Sequence, residues 1–150
     1  MNVPDPLCST GCFSRDPDLS SIDLVTRGMR ALPETSFEVI FYSTWHDAAP
    51  AIARAIVATG APTPVLHAEK SIGPAFARGS EADRQDALDL FEVNCRFAES
   101  IGARRMVLHL WGLPDSDTRL DQNLAALPRL LDTTDRQGDS VSICGVQQPR

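Results

Sequence analysis

The sequence predicts an α/β domain built on a parallel sheet. Three observations carry this. Short β-rich runs alternate with longer helical patterns along the whole chain, giving β-α four times and then one more strand. The β-rich runs are nearly all apolar, as strands covered on both faces must be. Glycine or proline stands at most of the boundaries, at Pro33, Gly60, Gly102 and Gly138.

Each element has its own signal. "STGCF" (9–13) is a short first strand, weakened by Gly11. "SSIDLVTRGMRAL" (20–32) places Ile22, Val25, Met29 and Leu32 at helical spacing. "FEVIFYSTW" (37–45) is rich in β-branched and aromatic residues and reads as a strand. "DAAPAIARAIVATG" (47–60) reads as a helix with Pro50 in its first turn, where its missing N–H does no harm. "TPVLHA" (63–68) is the third strand and "KSIGPAFARG" (70–79) reads as a loop. Ser80 with Asp83 forms a capping-box pattern before a long helix, whose stripe is Leu88, Phe91, Cys95 and Ala98. "RMVLHLWG" (105–112) is the fourth strand and "LPDSD" (113–117) a loop, its Asp115 and Asp117 suited to a turn and a helix cap, with cation binding as the alternative. The helix over 118–138 aligns Leu120, Leu124, Leu127 and Leu131, and Pro128 predicts a kink or a break. "SVSIC" (140–144) opens a fifth strand. Two architectures fit: an open doubly wound sheet of five strands, or the first half of a (β/α)8 barrel.

Composition narrows the function. A chain of 150 residues suits one domain. The net charge of -6, a single lysine (Lys70) and no basic run beyond Arg104-Arg105 disfavour nucleic acid. No GxGxxG or GxxxxGK[ST] occurs, so nucleotide binding of those kinds has no support. Cys8, Cys12, Cys95 and Cys144 match no CxxC pattern and read as reduced thiols. "MNVPDPLCST" lacks a leader's basic and apolar regions, and no stretch approaches the ~18 apolar residues of a membrane span. A soluble cytoplasmic protein with no membrane partner is the expectation.

Two apolar runs, "PVLHAEK" (64–70) and "MVLHLWG" (106–112), each end on a histidine. Alternation along a strand points Val65, His67 and Glu69 one way, and Val107, His109 and Trp111 one way. Both histidines fall at strand C-termini, the end that carries ligands in parallel α/β folds. His67 and His109 are therefore expected to face one surface, with Glu69 and Trp111 near. A core or rim histidine is the competing reading. Trp45 and His46 close the second strand, and His46 beside Asp47 suits a helix cap. Glu69 and Lys70 pair a carboxylate with an ammonium, but neighbours on a strand point to opposite faces.

"PVLHAEKSIG", "NCRFAESIGARRMVLHLWGLPDSD" and "RLDQNLAALPRLLD" resemble the first half of a sugar phosphate isomerase/epimerase-like protein. That is the xylose-isomerase-like TIM-barrel superfamily, which also contains endonuclease IV. The resemblance runs from about 9 to 144, with 145–150 as a divergent tail, and implies half a TIM barrel with strands in the order 1-2-3-4-5. It implies a sugar or sugar phosphate substrate and a divalent metal (manganese, magnesium, zinc or cobalt). His67 and His109 stand where members carry histidines that bind metal or substrate; His67, Glu69, His109 and Trp111 are the substrate-binding candidates. The family's fifth-strand glutamate would fall near Gly145 or Val146, and no Asp or Glu follows Asp139. A truncated, inactive member that does not hold metal stably is therefore expected, self-associating through open sheet edges. A small binding module on an open five-stranded sheet is the alternative.

Overall fold

The computed structural model describes residues 6–14, 18, 21–110, 120–136 and 142–144. Five strands form one sheet in the order β1-β2-β3-β4-β5, and every neighbouring pair is parallel. They are β1 (Leu7–Ser9), β2 (Ser36–Ile40), β3 (Val65–His67), β4 (Arg105–Val107) and β5 (Ser142–Cys144). Between them run α1 (Ser21–Ala31), α2 (Ala49–Val57), α3 (Ile72–Arg78), α4 (Glu81–Ser100), α5 (Leu120–Ala125) and α6 (Leu127–Arg136). Sequential strand order with helical crossovers is the topology of half a (β/α)8 barrel, not of a doubly wound sheet. No described helix is long and apolar enough to cross a membrane.

The pleat sorts the strand residues onto two faces. Phe37, Val39, Leu66, Met106 and Leu108 are buried in one core cluster with Met29, Ile52, Ile56, Phe91 and Phe97 from the helices. Glu38, Ile40, His67, Val107 and His109 alternate with them and are only half-buried. The register places Ile40 beside His67 and His67 beside Val107. Polar side chains thus gather on the face that the helices do not cover.

Local chemistry explains the element limits. The first strand lies at Leu7–Ser9, earlier than the 9–13 expected, because Thr10–Cys12 is a 3-10 turn. Thr10 Oγ1 accepts the Ile40 N–H at 2.9 Å, so a side chain replaces the next ladder bond. The second strand ends at Ile40 rather than Trp45, and Ser43–Ala48 is a second 3-10 turn that buries Trp45 completely. The stretch expected as a loop over 70–79 contains α3. Pro74 sits in its first turn, where it lacks no needed N–H, while Ile72, Ala75 and Phe76 bury against the core and Gly79 caps it at φ 89°. The Ser80–Asp83 capping box forms as expected, with Ser80 Oγ accepting the Asp83 N–H at 3.1 Å. On α4 the predicted stripe buries Phe91, Cys95 and Ala98 and leaves Leu88 half-buried.

The helix predicted over 118–138 divides at Ala126, two residues before Pro128. The break shifts the buried face. Asn123, Ala126 and Leu130 are inside, whereas Leu124 and Leu131 are exposed and Leu127 is half-buried. The loop 113–117 and the tail 145–150 lie outside the described residues.

Candidate functional site

His67 is the last residue of β3 and His109 stands two residues beyond β4, so both occupy strand C-termini. Their rings stack, with centroids 4.8 Å apart and planes 16° apart. The third member is Glu38, in the middle of β2, whose Oε1 lies 2.6 Å from His67 Nδ1. A carboxylate only accepts, so Nδ1 carries a proton, and in the neutral ring Nε2 is left with its lone pair. His67 Nε2 is buried and has no hydrogen-bond partner among the described residues. The two imidazoles are not equivalent: among the described residues only His67 of the two has a carboxylate that fixes the proton on Nδ1.

The pKa of His109 lies below the ordinary histidine value. Burial is the main cause, since it disfavours the imidazolium. The Lys70 ammonium and, when it is protonated, the neighbouring His67 push the same way, and Glu38 opposes them. Lys70 is thus near enough to influence the site, although it sits in an exposed turn after β3.

Glu69 does not join this cluster. The strand ends at His67, so the alternation that would carry Glu69 onto the same face stops two residues short. Glu69 instead turns toward α4 and is almost fully buried. Its backbone N–H donates to Asn94 Oδ1 at 3.1 Å, and its Oε1 accepts from Asn94 Nδ2 at 3.0 Å. His46 Nε2 lies 2.7 Å from the same oxygen, and Ser71 Oγ donates to Oε2 at 2.7 Å. His46 stacks on Phe41 with centroids 5.5 Å apart, and the N-cap position of α2 is Ala48, not His46. These bonds tie the turns after β2 and β3 to α4. Trp111 lies outside the described residues.

Two more contacts fix His109. Gly73 of α3 packs directly on the backbone of His109 and Leu110. Asn123 of α5, buried, donates from Nδ2 to the Leu110 carbonyl. The end of β4 is held from two helices.

Among the described residues the histidine pair does not by itself suit a divalent ion. A metal lies in the plane of an imidazole that binds it, and two stacked rings keep their nitrogens in two nearly parallel planes. His67 Nδ1 is already committed to Glu38. Among the described residues no group of three or more His, Cys, Asp or Glu side chains converges to hold an ion.

Glu38 escaped the sequence reading, which weighed its strand for β propensity alone. The signal was there: an acidic residue inside "FEVIF", an otherwise apolar strand, is out of place unless something on that face requires it.

The crystal structure of the xylose isomerase domain protein from Planctomyces limnophilus matches with a TM-score of 0.54, at 18% sequence identity, over 83% of this chain and 50% of that one. The fold is that of a partial TIM barrel, consistent with this neighbour. At this identity the likeness is one of fold, and this chain spans about half the length of that protein. No protein-family model and no curated protein matches the sequence. In the partial barrel, the histidine pair lies at the strand C-termini, the end where such barrels place their sites.

Proposed function

We propose that the Glu38–His67–His109 face binds a sugar or sugar phosphate, in the manner of an isomerase-type barrel, without metal-assisted turnover. The observation that carries this is His67 Nε2, which is buried and unpartnered among the described residues and is an acceptor in the neutral ring whose Nδ1–H donates to Glu38. A buried acceptor without a partner is costly, by roughly 1–3 kcal/mol, and a ligand hydroxyl donating to it would recover that loss. His109, whose pKa is lowered, offers a second ring beside it, and Lys70, whose ammonium lowers that pKa, is the cation proposed to pair with a phosphate. His67 is equally placed to accept a proton from a bound hydroxyl. Isomerisation needs in addition a polarised carbonyl, and the Glu38–His67–His109 face supports binding more directly than that step.

The test is a titration of the purified chain with aldose and ketose phosphates, followed by the imidazole Hε1 resonances. Both His67 and His109 should shift together and saturate, and Glu38→Gln should weaken binding by about tenfold, the equivalent of one charge-assisted hydrogen bond. Parallel assays with added manganese or zinc should show no turnover. Failure of both rings to respond to any sugar or sugar phosphate would overturn the proposal.

A further inference from the structure

At the other edge of the sheet, Cys8 of β1 and Cys12 at the end of the following 3-10 turn bring their sulfurs to 3.7 Å. We propose that Cys8 and Cys12 form a reversible intramolecular disulfide, making this turn a thiol–disulfide modification site. A disulfide measures about 2.05 Å, so the gap left to close is about 1.7 Å.

The fold holds both ends of this pair. Cys8 is in parallel register with Phe37 of β2. The turn that carries Cys12 is closed by the Phe13 N–H on the Thr10 carbonyl at 3.1 Å, and anchored where Thr10 Oγ1 accepts the Ile40 N–H at 2.9 Å. Cys12 is exposed and Cys8 half-buried, so a soluble disulfide can reach the pair. Cys95 supplies the contrast: it is buried in the core, with its thiol pushed up to about 12, chiefly by burial. The Cys12 pKa is also raised, by burial first and then by the Cys8 thiol. Exchange at this site should therefore be slow at neutral pH and accelerate as the solution becomes alkaline.

The oxidant is a small-molecule disulfide such as glutathione disulfide. One protein thiolate attacks a sulfur of it and expels a glutathione thiolate. The second protein thiolate then attacks the protein sulfur of that mixed disulfide, the internal S–S bond forms, and the second glutathione leaves. Two protein S–H groups are oxidised and one glutathione disulfide is reduced to two thiols.

Both cysteines lie on one tryptic peptide, which ends at Arg15. The full chain is equilibrated with glutathione redox mixtures at about pH 8.5, near the ordinary thiol pKa, then alkylated and digested. In the native chain this peptide should lose two hydrogens and resist alkylation. The equilibrium constant should exceed that of the guanidinium-unfolded chain by at least about tenfold, or about 30 mV. Cys12→Ser should abolish the loss of hydrogens. Equal constants in the native and unfolded chains, or glutathione adducts in place of the internal bond, would overturn the proposal.

Discussion

Replacing Gly73 by Ala tests how tightly the end of β4, and with it His109, is held. A Cβ at position 73 would stand 2.5 Å from the Leu110 carbonyl carbon, 2.6 Å from the His109 oxygen and 2.8 Å from the Leu110 oxygen. Carbon atoms prefer about 3.5–4.0 Å, so α3 must retreat by about 1 Å. The atoms it meets are backbone, and the Leu110 oxygen already accepts from Asn123, so no flexible side chain can give way. Overpacking costs about 1–3 kcal/mol, and the rigid neighbours put this case near the top of that range. Alanine recovers about 1 kcal/mol of helix propensity over glycine. The net loss is about 2 kcal/mol, which for a chain of this size lowers Tm by about 4–8 °C. Thermal unfolding followed by circular dichroism measures it. Gly11→Ala is the control, because its Cβ would meet the mobile Ile40 Cδ1 at 2.6 Å and should lose less. A Gly73→Ala protein as stable as the parent, or less damaged than Gly11→Ala, would refute the reasoning.

Three other outcomes follow from the same contacts. Because the folded pKa of His109 lies below its ordinary 6.5, the unfolded chain takes up this proton first, so the stability His109 contributes is full above about pH 6.5 and is lost as pH falls through the folded pKa. Urea midpoints measured from pH 7.5 downward should fall in that window, and less so in His109→Gln. Glu69→Ala strands a buried Asn94 N–H and unpairs His46, and should lose about 3 kcal/mol in urea unfolding; a loss under about 1 kcal/mol would show that the network contributes little. Ser80→Ala removes the α4 cap and should lose about 1 kcal/mol, with faster hydrogen exchange confined to the first turn of α4.

Most of the fold was legible because it rests on period and punctuation. The alternation of apolar runs with amphipathic stretches demands parallel strands whatever the side chains in detail, and the five strands pair in sequence order. What period cannot show is where a segment's backbone finds its bonds. The stretch "KSIGPAFARG" has the glycine and proline of a loop, yet Gly73 serves close packing and Pro74 fits the first helical turn, so α3 forms once Ile72 and Phe76 have a core to bury in. Thr10 likewise ended the first strand through a bond to a residue thirty positions away, which no local rule contains.

The site shows the same division more sharply. His67 and His109 could be placed together from alternation and strand position, and the structure stacks them. Alternation failed for Glu69 because it holds only while the strand lasts, and β3 lasts only to His67. From there the buried amide of Asn94, an acceptor and a donor on one side chain, satisfies both the backbone and the carboxylate of Glu69 and turns it away from the face. The two acidic residues have in effect exchanged places with what sequence proximity suggests. Glu69, two positions from His67, pairs with His46, while Glu38, twenty-nine positions away, sets the His67 tautomer. In a parallel sheet the neighbours that matter for proton chemistry sit on adjacent strands. An acidic residue in the middle of an apolar strand is therefore a better guide to a histidine's partner than the residues that follow that histidine in the chain.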